Sequence, residues 1–264
     1  MSITYPEIDE VIKYIHQHLD DPLSLDKLAN YAAYSPYHFT RIFKERVGVP
    51  PHYYISSIRL QKAKDLLLKT NLSVRDIGME VGQQSLGTFT TRFTQRVGVS
   101  PAQFRNSTQQ AGNHLYSLKK LTDWDGNAYS VYTSSNVEGT IQAEIPFQGI
   151  ILVGLFSKPI PEGLPLYGTL MSSLGKFYFQ NVNPGIYYLM VTAVSWEMGM
   201  TDILLPHTTL RAKSKQAVIV KPNVITPHQK LTLRGPRLDD PPILISLPVL
   251  MQKFLTRVSQ HSNR

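Results

Sequence analysis

The chain has 264 residues, a formal net charge of +8 and no cysteine. This length allows two modest domains, and the content of charged and apolar residues is that of a globular chain rather than a disordered one. The lack of cysteine excludes a disulfide framework and thiolate metal sites, and it fits a cytoplasmic protein. The acidic N-terminus carries no apolar signal segment and the apolar runs are short, so we expect no membrane partner.

The basic residues are concentrated in one part of the chain. Residues 1–26 contain one base and six acids, residues 27–105 contain twelve bases and four acids, and the remainder contains fourteen bases and nine acids. A basic stretch suits a phosphate-rich partner, although a charge excess alone is also the mark of an ordinary solvated surface.

The first predicted element is a helix that begins near Pro6. Thr4 and Glu7 have the spacing of a capping box, in which each residue satisfies a free backbone N–H of the first turn. The apolar residues that follow recur on one helical face: Ile8, Val11, Ile12, Ile15 and Leu19.

Residues 23–105 contain one pattern twice. Each copy begins with a helix-capping serine, Ser24 or Ser73, and ends with the same four residues, Arg-Val-Gly-Val, at 46–49 and 96–99. Between these points the periodicity predicts a helix, a tight turn at 33–34 or 82–83, and a second helix. A small inner residue, Ala29 or Gly78, would let the two helices cross closely. The pattern is typical of a helix-turn-helix, and the alternative is a plain helical hairpin in a bundle.

A long helix is predicted between the two copies, over residues 53–69, after Pro50 and Pro51 break the chain. Its apolar residues are expected to face inward or between faces: Ile55, Ile58, Leu60, Ala63, Leu66 and Leu67. A stiff spacer matters here because two second helices that read DNA must reach successive major grooves, about 34 Å apart.

Three spaced motifs carry a family resemblance. They are Ser35-Pro-x-x-Phe39-x-Arg41-x-Phe43-Lys44, Arg59-Leu60-x-x-Ala63-x-x-Leu66-Leu67 and Val97-Gly-Val-Ser-Pro101-x-x-Phe104-Arg105. Together they resemble the DNA-binding domain of AraC/XylS-type bacterial transcription regulators, over roughly the first 110 residues. The resemblance implies two helix-turn-helix units held apart by one long helix, with both recognition helices in the major groove on one face of the DNA.

The second copy departs from the family pattern at three positions. Gln83 stands where an aromatic residue is usual, Gly87 where a serine is usual, and Thr91 where an arginine is usual. Glycine inside a helix costs about 1 kcal/mol relative to alanine. We therefore expect the second recognition helix to be the less rigid of the two, or to read bases less directly.

The outward side chains of the two recognition helices are the candidate DNA contacts. Arg41 is the candidate for a bidentate contact with guanine, unless it pairs with Glu45 one turn on, and Thr40 is the candidate for a thymine methyl. Tyr37 and Lys44 suit phosphate. The complete candidate set is Ser35, Tyr37, His38, Thr40, Arg41, Lys44, Arg46, Ser85, Leu86, Thr88, Thr91, Arg92, Gln95 and Arg96. Four phenylalanines are predicted to be core: Phe39, Phe43, Phe89 and Phe93.

The predicted fold class is multidomain α plus β. An all-α domain with two helix-turn-helix units covers residues 1–106, a polar linker covers 107–120, and an antiparallel β-sandwich with a terminal helix covers 121–264. The predicted strands are 140–145, with Ile141, Ala143 and Ile145 on one face, and 150–156, 177–182, 186–196, 217–220 and 230–234. The segment 181–191 weakly resembles prealbumin-like or carboxypeptidase-regulatory-like sandwiches. The terminal helix, from residue 248, carries a stripe of Leu250, Phe254 and Val258.

Residues 186–194 are apolar on both faces of a strand. Because a sandwich strand normally has one wet face, we expect the outer face to be covered by another subunit, by the DNA-binding domain or by a ligand. Tyr188 and Met190 are the candidate ligand-binding or interface residues there.

The expected function is that of a sequence-specific, DNA-binding transcription regulator, an activator or a repressor, with double-stranded DNA as partner. RNA polymerase, a small-molecule effector and a second copy of the chain are further candidate partners. The sequence lacks a phosphate-binding glycine loop, a Gly-x-Ser-x-Gly elbow and a His-Glu-x-x-His motif, so no enzymatic activity, cofactor or metal is expected. The alternative is a carbohydrate-binding or hydrolase-associated β-sandwich with accessory helices, in which Trp124 and Trp196 would stack on sugars.

Overall fold

The computed structural model describes residues 5–83, 85–121, 124 and 136–262, and the chain divides into two compact units. The helical unit comprises residues 1–105 together with Arg237–Leu244, and the second unit comprises residues 106–236 and 245–264. Thr4, the predicted capping residue, lies outside the described residues. Within the described part of the chain, no helix has both the length and the apolarity needed to cross a bilayer.

The helical unit contains both predicted helix-turn-helix motifs. Its helices are α1 (Pro6–Gln17), α2 (Leu25–Tyr31), α3 (Pro36–Val47), α4 (Pro51–Lys69), α5 (Val74–Glu80), α6 (Leu86–Val97) and α7 (Pro101–Arg105). The predicted serine caps of α2 and α5 are confirmed, because Ser24 Oγ accepts from the Lys27 amide at 3.2 Å and Ser73 Oγ accepts from the Asp76 amide at 3.1 Å. The buried face of α1 is as predicted for Ile8, Val11, Ile12 and Ile15, whereas Leu19 lies beyond the end of the helix and is half-buried.

The turn inside each motif has the same geometry. Ala33 and Gly82 both lie in the left-handed region, with φ of 56° and 74°. The amide of the next residue, Tyr34 or Gln83, closes back on the preceding helix at 2.9 Å, which is the Schellman arrangement. The inner face is tight, since a Cβ on Gly78 would lie 3.3 Å from the Phe89 ring. The small residue predicted at this position is therefore required by the helix crossing.

The core of each motif contains three aromatic rings packed in a row, here called the three-ring chain. In the first copy, Phe43 lies 5.6 Å from both Phe39 and Tyr54, between ring centroids. The second copy repeats the arrangement at corresponding positions, with Phe93 lying 5.8 Å from Phe89 and 5.7 Å from Phe104. All six rings are fully buried. The duplication therefore extends through the start of α4 and through α7, beyond the two helices of each motif.

The second unit is rich in strands, which form two sheets. The strands are β1 (Val137–Ala143), β2 (Gly149–Phe156), β3 (Tyr167–Met171), β4 (Gly175–Phe179), β5 (Gly185–Ser195), β6 (Leu210–Lys213), β7 (Val218–Val220) and β8 (Gln229–Leu233). One sheet has the order β4-β1-β8, and the other has the order β3-β2-β5-β6 with β7 also paired to β5.

The expectation of purely antiparallel pairing is wrong for one pair, because β1 and β8 run parallel. The two strands are distant in sequence, so no hairpin fixes their relative direction. One apolar cluster draws on both sheets, with Ile141 and Leu233 from one sheet and Val153 and Leu189 from the other. Ile145 does not join Ile141 on the inner face: β1 ends at Ala143, and Ile145 is 55% exposed.

Three helices accompany the sheets: α8 (Thr108–Lys119), α9 (Met200–Leu204) and α10 (Leu247–Ser262). Helix α8 replaces the predicted linker. Its buried residues, Ala111, Leu115 and Leu118, form a sparse i, i+4, i+7 stripe within a polar segment, which is why the segment looked aperiodic. In the predicted terminal helix α10, Phe254 is buried, whereas Leu250 and Val258 are only half-buried.

Strand β5 is buried on both faces, from Leu189 to Val194. This burial is present in the single chain, so it requires neither a second subunit nor a ligand. Helix α10 lies against the five-stranded sheet, where Arg257 Nη1 donates to the Gly168 carbonyl of β3 at 3.1 Å. Of the three expected covers, a second subunit and a ligand are therefore not needed for the burial of β5.

Candidate nucleic-acid interface

The limits of helix α3 are fixed by residues at its two ends, and its orientation is fixed by one buried face. Ser35 Oγ accepts from the His38 amide at 3.4 Å, Pro36 occupies the first turn, and Gly48 ends the helix at φ 95°. The buried residues are Phe39, Ile42, Phe43 and Val47. Because this stripe faces the core, the polar residues on the other side of α3 point outward.

The outward side of α3 carries Tyr37, Arg41 and Lys44. Tyr37 is 84% exposed, which is unusual for a large aromatic ring with no described partner in the core. Arg41 Nη1 pairs with Glu45 Oε1 at 2.9 Å, and its Nη2 lies 3.3 Å from His38 Nδ1. The intrahelical pair that was the alternative for Arg41 is therefore formed.

The ion pair with Glu45 is exposed and weak. Both side chains are about half exposed, at 51% and 46%. An exposed i,i+4 pair contributes only about 0.3–0.5 kcal/mol, whereas a bidentate contact with a base discriminates by about 1–3 kcal/mol. The ion pair with Glu45 therefore holds Arg41 only weakly.

Two other candidates on α3 are already engaged within the unit. The Thr40 hydroxyl donates to the Pro36 carbonyl at 2.8 Å. Arg46 forms ion pairs with Asp9 at 3.0 Å and with Asp239 at 2.5 Å. Burial works against the charge of Arg46, yet the hydrogen bonds and charges of the two carboxylates raise its pKa on balance. The Arg46 side chain is therefore held by these two carboxylates at the C-terminal end of α3.

Helix α6 presents a different surface. Ser85 Oγ accepts from the Thr88 amide at 3.4 Å, and the helix buries only Phe89, Phe93 and Val97. Where α3 buries Ile42, α6 carries the exposed Arg92, whose Nη1 donates to Gln83 Oε1 at 3.2 Å. The other candidates on α6 with exposed side chains are Ser85, Leu86, Thr88, Thr91 and Gln95.

Arg96 occupies the position in α6 that Arg46 occupies in α3. Its guanidinium donates to Ser56 Oγ at 3.1 Å and to Ser57 Oγ, and it stacks over the Tyr53 ring at 4.6 Å from the centroid. Both arginines were predicted as DNA contacts, yet both fasten their helix to neighbouring elements.

The remaining candidates, Tyr188 and Met190, lie on β5 in the second unit. Tyr188 is half-buried and Met190 is 7% exposed. Met190 stands opposite Gly154 of β2 and Lys213 of β6 in the sheet register. Its burial within the chain makes it a packing residue rather than part of an open surface.

The sequence reading missed one buried charge in the helical unit. Lys64, in the middle of α4, is 1% exposed, and burial lowers its pKa to about 7. Its Nζ donates to the carbonyls of Ile243 and Leu244 at 3.1 and 3.3 Å. The signal was available, because Lys64 lies four residues after Leu60 and three before Leu67, on the buried stripe of α4.

Helix α4 sets the separation of the two motifs. It has 19 residues, which corresponds to a rod about 28 Å long at the usual rise. It packs against α3, α5 and α7, and its apolar prediction holds for Ile55, Ile58, Leu60, Ala63 and Leu67, whereas Leu66 is half-buried.

Residues 28–107 match the helix-turn-helix domain family. The chain is 36% identical over 100 residues to the transcriptional activator AarP of Providencia stuartii, covering 38% of this chain and 74% of AarP. It is 37% identical over 109 residues to the uncharacterized regulator YobQ of Bacillus subtilis, covering 41% of this chain and 42% of YobQ. It is 34% identical over 102 residues to the bifunctional transcriptional activator and DNA repair enzyme AdaA of the same organism, covering 39% of this chain and 48% of AdaA. The match thus spans less than half of YobQ and of AdaA.

Among solved structures, the chain is similar to a regulator from Chromobacterium violaceum described as containing an AraC-type DNA-binding domain. The identity is 28%, the coverage is 39% of this chain and 91% of that one, and the TM-score is 0.38.

Proposed function

The chain belongs to the AraC family of helix-turn-helix proteins, and we propose that it is a sequence-specific, DNA-binding transcription regulator. In this proposal α3 and α6 are recognition helices that enter successive major grooves on one face of the duplex. Phosphate contacts fix the register, and side chains of the two helices read separate half-sites.

The observation that carries the proposal is the repeated aromatic core. The same three-ring chain holds α3 in one copy and α6 in the other. The two helices are therefore equivalent elements of a duplicated unit, and each leaves a polar face outside that core. The long helix α4 spaces them on the scale of one turn of B-form DNA, about 34 Å. The positive excess of residues 27–105 supplies the long-range attraction to phosphate.

We assign the first recognition helix the larger share of base reading. Tyr37, Arg41 and Lys44 are exposed on α3, and they provide a ring, a fork of N–H donors and a flexible ammonium for base and phosphate. Thr40 is proposed to offer its methyl group to a thymine, since its hydroxyl is bound to the backbone. His38 supports Arg41, and Ser35 acts as a cap whose helix end attracts phosphate.

The second recognition helix is proposed to bind more weakly. At the positions where α3 carries Tyr37, Arg41 and Lys44, α6 carries Gly87, Thr91 and Thr94. Its proposed contacts are Ser85, Leu86, Thr88, Thr91, Arg92 and Gln95. Short hydroxyl side chains reach base edges less far than arginine or lysine, so this helix should contribute contacts of lower discrimination.

We propose that the second unit is a β-sandwich with an effector or assembly role. Two sheets share one apolar cluster, and the Tyr187 hydroxyl donates to the Asn183 carbonyl four residues upstream at 2.7 Å. Such a tyrosine corner recurs in Greek-key sandwiches. A second copy, RNA polymerase and a small-molecule effector remain the proposed partners of this regulator.

The test is selection of bound duplexes from a random pool by the full chain, followed by binding to the selected duplex over a range of salt. We expect log Kd to change linearly with log salt concentration, and Arg41→Ala to weaken binding by about tenfold while relaxing sequence preference. Lys69→Ala, which removes an equal charge from the exposed end of α4, serves as the control and should have little effect. If the full chain enriches no sequence at low ionic strength, the proposed function is wrong.

A further inference from the structure

The helical unit contains a segment from late in the sequence. Residues Arg237–Leu244, here named the strap, belong to this unit although they follow β8 and precede α10 along the chain. A local turn closes the strap's first half, where the Asp240 carboxylate accepts from the Arg237 amide at 2.8 Å. Residues 241–244 are all buried. The strap is thus a packed part of the helical unit, and residues 1–105 alone would lack it.

The strap contacts the C-terminal end of α3, the first recognition helix, through a network of charged side chains. Asp239 and Asp9 both pair with the guanidinium of Arg46, so one side chain of α3 is bound to α1 and to the strap together. Burial, and after it the carboxylates of Asp239 and Asp240, raise the pKa of Tyr54. The strap therefore joins the C-terminal end of α3 through an ion pair, at a side chain that α1 also binds.

A second attachment fixes the other end of the strap. The ammonium of Lys64 reaches the carbonyls of Ile243 and Leu244, and it lies 5.4 Å from the centroid of the Phe104 ring. These two buried carbonyls lie before the start of α10, so they are not part of its helical hydrogen bonding. Lys64, in the middle of α4, donates hydrogen bonds to them instead. The strap is held at both ends, by α3 and by α4.

The internal duplication shows what the strap supplies. At the corresponding position of the second copy, Arg96 is fastened to Ser56 and Ser57 and stacks on Tyr53. All three of these partners lie on α4. In the first copy, Arg46 finds its partners on α1 and on the strap instead. For the first recognition helix, α1 and the strap together therefore take the place that α4 takes for the second.

We infer that the strap positions the first recognition helix for DNA, with Asp239 acting as a positioning residue through Arg46. This inference rests on the proposed function. Asp239 touches no DNA in this arrangement; it orients α3 from behind, on the side away from Tyr37 and Lys44. A segment that follows the β strands in sequence is then required for full DNA affinity.

The direction in which one substitution changes DNA affinity distinguishes this positioning role from a simple charge effect. Asp239→Asn removes a negative charge from a DNA-binding protein, which by electrostatics alone tightens binding. If Asp239 positions α3, the same substitution weakens binding, by about threefold or more for residues in one charge network. Asp240→Asn is the matched control, since it removes the same charge from the same segment and asparagine retains an acceptor for the Arg237 amide.

The experiment uses the full chain and the duplex that the unchanged chain selects. We expect Asp239→Asn to weaken binding and to reduce footprint protection over one half-site more than over the other, with Asp240→Asn close to the unchanged chain. In the Arg46→Met background, Asp239→Asn should cause no further weakening, because Asp239 no longer has Arg46 through which to position α3. In the free protein, hydrogen exchange of the α3 amides should quicken in Asp239→Asn while that of α6 stays the same.

Equal or tighter binding by Asp239→Asn, with α3 exchange unchanged, would overturn the inference. Equal weakening by Asp239→Asn and Asp240→Asn would overturn it too, because the position of the charge would then not matter. If the unchanged chain binds no duplex, the proposed function fails, and hydrogen exchange of α3 alone decides whether the strap positions that helix.

Discussion

Replacing Lys64 with methionine tests the energetics of the buried attachment. The pKa of Lys64 is lowered from 10.5 to about 7 by burial, and the charge of Asp65 on the same helix only partly opposes this effect. Between these two values the unfolded chain binds a proton that the folded chain does not. The free energy of unfolding therefore rises with pH through this window, by about 1.4 kcal/mol per pH unit from this one group.

The magnitude decides which variant is more stable at each pH. Below pH 7 the folded protein carries a buried ammonium, at a penalty of several kcal/mol relative to pH 10. Lys64→Met removes that penalty, but it leaves the carbonyls of Ile243 and Leu244 without their donor, at about 1–3 kcal/mol each. We therefore expect the methionine variant to be as stable as the unchanged protein or more so at pH 6, and less stable at pH 9.5.

The assay is urea unfolding followed by circular dichroism at 222 nm from pH 6 to 9.5, with hydrogen exchange of α4 peptides identifying the transition of the helical unit. Lys69→Met is the control, since Lys69 lies on the same helix with its side chain 58% exposed, and its pH profile should parallel that of the unchanged protein. If Lys64→Met and the unchanged protein show parallel profiles over this range, the buried-ammonium reasoning is refuted.

Three further predictions concern the two motifs. Ala33→Gly should stabilise the helical unit by about 1 kcal/mol, because alanine at positive φ is strained, and Gly82→Ala should destabilise it by at least as much; thermal unfolding measures both. Gly87→Ala should stabilise α6 by up to about 1 kcal/mol, since a Cβ there meets nothing closer than 3.9 Å. On the selected duplex, Arg41→Ala should weaken binding by about 1–3 kcal/mol and Thr91→Ala by less than about 1 kcal/mol.

Each of these predictions has a contrary result. A loss of stability in Ala33→Gly would mean that the turn is not strained. A lower melting temperature for Gly87→Ala would mean that α6 does not accommodate a methyl group at this position, and the prediction would be wrong. If Thr91→Ala weakened DNA binding as much as Arg41→Ala, the two recognition helices would contribute equally, and the assignment of the first as the stronger reader would be wrong.

Local pattern was sufficient for the caps, the helix crossings and the phenylalanine cores of the two motifs. The serine caps, the small residue at the crossing and the phenylalanine stripes are properties of residues three or four apart, and each was found where the sequence predicted it. The limit of local pattern is visible in α8. Its three buried residues are spaced for a helix, but the intervening polar residues gave a stronger signal for a linker. Strands β3 and β6 were not predicted either.

The sequence by itself determined that this chain carries a duplicated helix-turn-helix with two outward polar helices, because helix caps, helical period and repetition are all written within short windows. Only the tertiary structure decided what the charged residues of those helices do. Arg41 and Arg46 are both spaced as surface residues of α3, yet one meets an exposed glutamate and the other meets carboxylates from distant parts of the chain. Lys64 is buried for the same reason, since its partners lie on the strap. Contacts between residues far apart in sequence leave no periodic trace, so the fold alone separates the residues that face outward from those that hold the helices in place.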